Sequence, residues 1–333
     1  MSLESLAEQG IKETLENAFH WTPAQRTLVI TDDEAPLTQI LTRAYQAFMP
    51  MADFHHFKVG EEEAAIAKLN ACEKGDLVVL IQSANFRLNE FRIRIELFKK
   101  GIQTIEYVHL ARMSEDQFET HLNTLRYDKS YYRTMGPAIK AIIDPAQHIR
   151  VECEDTVLEY NSPMEQAKLN IGDYTGMENV GGTYPIGEVF SEPQDLTKVN
   201  GEVRIFAFAG MDHCVRFYEP FKAIIKEGIM TAPDAPEEFQ QTLALIRADE
   251  EVTVREFGLG LNRAIGKHSL INDVTAFERQ LGLHLSLGGK HTIYKKEGLH
   301  RKHMRYHVDV FVDVKKILVD DKVLFENGAF LAK

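Results

Sequence analysis

Four short runs of β-branched and aliphatic residues alternate with amphipathic stretches over the first third of the chain, and this alternation constrains the fold most. The runs are TLVIT at 27–31, ADFHHFKV at 52–59, DLVVLIQ at 76–82 and IQTIEYV at 102–108. A strand buried on both faces reads as a nearly continuous apolar run, and parallel neighbours need a long crossover between them, usually a helix. The spacing therefore predicts an α/β, Rossmann-like domain with a parallel sheet. Its helices fall near 35–49, 61–73, 86–100 and 115–126. The turn after the first run reads Thr31-Asp32-Asp33-Glu34, acidic where a dinucleotide site needs glycines and a free helix N-terminus. No nucleotide is expected there.

Between about 127 and 145 the periodicity blurs, with Gly136-Pro137 and Asp144-Pro145 as punctuation, and the texture then changes. Short β-like runs dominate: HIRVECED, TVLEY, EVRIFAFAG, EVTVREFGLG, LHLSLGG, YHVDVFVDV and KILVDDKVLFENGAF. One helix, PDAPEEFQQTLALIRA, interrupts them. Val319-Asp320-Asp321-Lys322, between apolar flanks, reads as a hairpin turn. We expect two domains, residues 1–140 as the α/β unit and 141–333 as an α+β unit that carries the chemistry.

Composition narrows the function classes. The 333 residues are 44% hydrophobic and 26% charged, enough apolar material for a sizeable core. A formal net charge of -12 repels phosphate backbones and anionic lipid, which argues against nucleic acid and membrane surfaces as partners. The three cysteines, Cys72, Cys153 and Cys214, are scattered, so neither a disulfide framework nor a thiolate zinc site is expected. The acidic, amphipathic opening segment is unlike a signal peptide, and no apolar run reaches membrane-spanning length. A cytoplasmic protein is the expectation.

The candidate chemistry lies in isolated polar residues within apolar β-like sequence. His307 and Asp309 in Tyr306-His307-Val308-Asp309 are two apart, on one face of a strand. By itself this is the ordinary polar face of an antiparallel strand. His284 stands opposite three leucines in LHLSLGG. Glu256 shares a strand face with Val252 and Val254, where an unpaired carboxylate is costly; Arg255 points the other way. Glu188 sits in the apolar loop PIGEVF. Taken singly, each has a bland structural account. Together, three carboxylates and two histidines form a donor set suited to Zn, Mn or Co, and five ligands suit two ions better than one. His300 and His303 offer a rival pair at helical spacing, but Lys302 and Arg305 beside them favour a solvated basic loop.

In this order and at this rough spacing the segments resemble the aminopeptidase T family of metallo-aminopeptidases, the thermophilic M29-type peptidases. PIGEVFSEP, REFGLGLN, HLSLG, YHVDVF and LVDDKVLFENGAFL stand where that family has a P-x-GEVF loop, an E-x-G-x-G-x-N segment, an H-x-A-x-G strand, an H-x-D strand and a closing hairpin. The resemblance implies that Glu188, Glu256, His284, His307 and Asp309 bind a pair of divalent cations. It further implies a peptide substrate and an enclosed homo-oligomer, expected as a dimer. The family's tyrosine after the histidine strand falls in Lys290-His291-Thr292-Ile293-Tyr294, so His291 or Tyr294 takes that role. Glu278 corresponds loosely to a further family acid.

The expected reaction is metal-assisted hydrolysis of an N-terminal peptide bond by activated water, with a nearby carboxylate, Glu256 among them, as general base and His291 or Tyr294 at the oxyanion. Two alternatives stand beside it. One is a mononuclear iron ring-cleaving dioxygenase of the dihydroxypyridine type, which shares the fold but has a histidine in place of Glu256. The other is a non-enzymatic binding protein.

Overall fold

The computed structural model describes residues 2–88, 91–290, 293–294, 296 and 305–332. The chain forms two compact units: residues 1–132 with 172–186, and residues 133–171 with 187–333. Among the described residues no helix is long and apolar enough to cross a membrane.

The first unit is built on a parallel sheet in the order Asp53–His56, Thr27–Thr31, Leu77–Ile81, Gln103–Tyr107 and Gly181–Thr183. Thr27–Thr31 and Leu77–Ile81 are buried throughout, as their unbroken apolar sequence requires. Leu28, Ile30, Val78 and Leu80 face a core shared with Ala65 and Leu69 of the helix Glu62–Asn70 and with Leu97 of the helix Ile93–Lys99. Tyr45, on the helix Pro36–Phe48, meets Tyr107 hydroxyl to hydroxyl at 2.9 Å, which satisfies two buried phenols at once. In the acidic first turn, the Asp32 carboxylate accepts from the Ser83 backbone N–H at 2.7 Å and from its hydroxyl at 2.6 Å.

Three elements depart from the sequence expectation. The helix expected over 86–100 begins only at Ile93, after a bridge between Leu88 and Phe91. The blurred stretch is one helix, Lys129–Ile143, with Pro137 inside it, and the boundary between the units falls within it. The fifth strand, Gly181–Thr183, comes from far along the chain; its Gly-Gly-Thr sequence carries no apolar signal. Gly181 is required there, because a Cβ would lie 1.9 Å from the Thr104 carbonyl oxygen.

The second unit is dominated by a large antiparallel sheet. Its hairpin Lys316–Val319 to Lys322–Glu326 turns through Asp320 and Asp321, both at positive φ (45° and 66°), the conformation of a two-residue type I′ turn. The strand Val215–Lys226 was not legible because Pro220 interrupts it; the ladder to Val199–Ala209 shifts register around that proline. Towards one end of the sheet four strands lie side by side in the order Val308–Val312, Gly282–Leu287, Val254–Gly260 and Glu188–Ser191.

Candidate metal centre

Register decides which side chains meet. Gly258 pairs with His284, Gly260 with Glu188, and Ser286 with Asp309. Directly paired residues project to one side of a sheet, and so do residues two apart on one strand. Glu188, Glu256, His284 and Asp309 consequently share one face of four consecutive strands, with His307 two residues before Asp309.

Glu256 needs a local device to take its place. Val254 pairs with Leu287 but Phe257 with Leu285, so the Glu256 strand carries one extra residue, a bulge that re-aims the side chains within it. The Glu256 backbone N–H, taken out of the ladder, donates to Ser286 Oγ at 3.0 Å. The bulge also leaves Arg255 buried, forked onto Glu192 with Nε to Oε2 at 2.9 Å and Nη2 to Oε1 at 3.1 Å. Sequence reasoning missed this pair, since its members lie 63 residues apart.

Donor atoms of Glu188, Glu256 and His284 lie within 4.8 Å of one another, and all three side chains are buried. His284 Nε2 is 3.2 Å from Glu256 Oε1 and 3.3 Å from Glu188 Oε1. A tetrahedral ion with ligands at about 2.0–2.2 Å separates neighbouring donors by roughly 3.3–3.6 Å, so these three residues fit a metal. His307 Nε2 lies 3.1 Å from Asp309 Oδ1, off the line of a hydrogen bond, which leaves that buried oxygen without a hydrogen-bond partner. His307 Nδ1 is 3.1 Å from the Lys290 carbonyl oxygen. As a donor there, it would make Nε2 the acceptor nitrogen turned towards Asp309, the arrangement that orients metal-binding imidazoles.

Arg279, which sequence reasoning did not single out, enters the same cluster. Its Nη1 lies 2.7 Å from Glu188 Oε2 and 2.9 Å from Glu278 Oε1. Glu188, Glu256, Glu278, Arg279, His307 and Asp309 all line one cavity of about 610 Å³. Tyr294 does not line it; its hydroxyl donates to the Gln166 carbonyl at 2.7 Å and reaches that of Phe190 at 3.3 Å. His291, His300 and His303 lie outside the described residues.

The electrostatics are those of a place made for positive charge. Burial pushes the Glu188 carboxyl up despite the nearby Arg279, and pushes Glu278 up to about 8. Burial alone would depress His284, but Glu256, Glu188 and Asp309 outweigh it and raise the imidazole to about 9. His307, opposed in the same way by burial, is raised to about 10 by Asp309, Glu256 and Glu278. Four carboxylates thus line the cavity, with Arg279 in contact with two of them and Lys290 and Arg305 elsewhere on its wall, and the carboxylates favour the protonated imidazoles.

At the level of sequence, no protein-family model and no curated protein matches the chain. In structure the chain is similar to wild-type AmpT from Thermus thermophilus, with a TM-score of 0.58 and 14% sequence identity over 99% of this chain and 98% of that one. The likeness establishes the fold. It is the two-part α/β architecture that the pattern of apolar runs predicts, with a parallel sheet in one unit and an antiparallel sheet in the other.

Proposed function

We propose that the chain is a metal-dependent aminopeptidase that removes N-terminal residues from peptides, using two divalent cations drawn from Zn, Co or Mn. The observation that carries this reading is His284 Nε2 facing Glu188 and Glu256 at metal-ligand spacing in a buried, carboxylate-rich centre. The fold shared with AmpT supports it, together with the resemblance of the motifs to the aminopeptidase T family.

Glu188, Glu256 and His284 would hold one ion, and His307 with Asp309 would contribute to the second. Bound cations would supply hydroxide near neutral pH and polarise the scissile carbonyl. Of the carboxyls lining the cavity, Glu278 is the one outside the set proposed to hold the ions, which leaves it for the proton transfers. Its carboxylate would take the proton from the attacking water and return it to the leaving amine. A substrate α-amine gains from the acidic wall, and an N-acetyl group does not. The oxyanion role stays with His291 or Tyr294; Tyr294 would have to release the Gln166 and Phe190 carbonyls to take it. Three carboxylates around His284 and His307 do not suit an iron centre with two histidines and one carboxylate. A cytoplasmic homodimer belongs to the same reading, with light scattering as its check.

The test is metal analysis with peptide turnover on the full chain, stripped by chelator and restored with Co, Mn or Zn. Two ions per chain and release of N-terminal residues from unblocked, but not acetylated, di- and tripeptides are expected. Full metal content in His307→Ala or Asp309→Ala would end the two-ion reading. Oxygen uptake with Fe(II) and a dihydroxypyridine, without peptide cleavage, would replace the hydrolase by the dioxygenase.

A further inference from the structure

Of the two oxygens of Glu188, only one is open to a metal. Oε1 faces His284 at 3.3 Å, while Oε2 is held by Arg279 Nη1 at 2.7 Å. The same guanidinium nitrogen reaches Glu278 Oε1 at 2.9 Å, so two of the four carboxylates in the cavity are engaged by one fixed positive charge. Arginine keeps its charge under all ordinary conditions, so deprotonation cannot remove this competitor.

Arg279 is also poorly compensated as a purely structural residue. It is 7% exposed, and its Nε has no hydrogen-bond partner among the described residues. A buried arginine serving the core alone normally has its donors satisfied, as Arg255 does by forking onto Glu192 and reaching the Gly289 carbonyl oxygen. Arg279 instead lines the cavity and is turned towards the acidic cluster.

Resting on the two-ion reading above, we infer that Arg279 acts as a built-in cation that makes the two metal sites unequal. The first ion enters among Glu188 Oε1, Glu256 and His284 without disturbing it. The second, which His307 and Asp309 would hold, would gain Glu188 Oε2 only by displacing the guanidinium. The chain therefore carries one tightly held ion and one exchangeable ion. Arg279 is a positioning residue for Glu188 and Glu278.

The experiment is titration of Co(II) alone into the chelator-stripped full chain, followed by calorimetry and visible absorption. Wild type is expected to show two steps separated by a hundredfold or more in Kd. Arg279→Met should tighten the second step at least tenfold and leave the first nearly unchanged. Arg279→Lys, which keeps the charge on a shorter side chain, should fall between, and it serves if the methionine variant fails to fold. Two equal steps in wild type, or an unchanged second step in both variants, would overturn the inference while leaving the two-ion centre intact. Failure of wild type to bind Co(II) at all would overturn the centre and the inference with it.

Discussion

Gly258 stands directly opposite His284 on the neighbouring strand, and a methyl group on Gly258 would lie 2.1 Å from His284 Nε2. The glycine is there to leave room for an imidazole and whatever the imidazole binds. Its φ is not in the left-handed region, so the requirement is steric and not conformational. Gly258→Ala should strip the chain of metal and cost about 1–3 kcal/mol through overpacking. Metal equivalents per chain and urea midpoints read the two effects separately, and a fully loaded Gly258→Ala protein would contradict the placement of His284.

Beneath the centre, Arg255 and Glu192 are buried together, with Lys296 Nζ also 3.3 Å from Glu192 Oε1. Removing one partner of such a pair leaves an uncompensated charge in the interior. Arg255→Met is expected to cost about 3–5 kcal/mol. Combining it with Glu192→Met should restore most of that loss, because Lys296 keeps Glu165 at 2.7 Å. Denaturant unfolding of the two single variants and the double variant closes the cycle; simple additivity would show that the pair is not coupled.

In the first unit His121 is buried, and neither ring nitrogen has a hydrogen-bond partner among the described residues. Burial pushes its pKa from 6.5 down to about 4. Between those values the unfolded chain takes up a proton that the native chain refuses. Stability from this residue is therefore complete above about pH 6.5 and is lost as pH falls towards 4, by about 3 kcal/mol in all. In His121→Leu the change in urea midpoint between pH 7.5 and pH 4.5 should be smaller than in wild type. An identical change would mean that His121 finds a partner.

The turn at Asp320-Asp321 places a residue with a Cβ at φ 66° in the second central position. Asp321→Gly should stabilise the protein by about 0.4–1 kcal/mol, since glycine adopts that conformation without strain. Asp320 should be left alone. Its carboxylate accepts from the backbone N–H groups of Gln147 and His148 at 3.1 and 2.9 Å. Thermal unfolding distinguishes the two positions, with Asp320→Gly expected to lower the midpoint and Asp321→Gly to raise it.

What could be read from the sequence was whatever depends on near neighbours. The apolar runs TLVIT and DLVVLIQ became central strands, and the two-residue spacing of His307 and Asp309 placed both by the same cavity. The Glu256 strand was legible, but its bulge was not, because the extra residue is defined only against Leu285 and Leu287 of its partner. Arg279 escaped notice for a related reason. Its significance comes from Glu188, 91 residues away, and nothing in Phe277-Glu278-Arg279-Gln280 points to it. Pro220 hid a strand, and Gly181-Gly182-Thr183 concealed another by having almost no side chains to pattern.

The path of the backbone limits how the protein can be dissected. After entering the second unit at residue 133, the chain goes back to the first at 172, supplies its fifth strand, and leaves again at 187, one residue before Glu188. A truncation that discards residues 1–132 would leave Gly181–Thr183 without the neighbour it pairs with. A fragment that ends near 140 would lack its outermost strand. Neither unit is a contiguous cassette, so proteolysis or gene trimming at the apparent junction should yield fragments that need each other, and a functional split is to be sought in other loops.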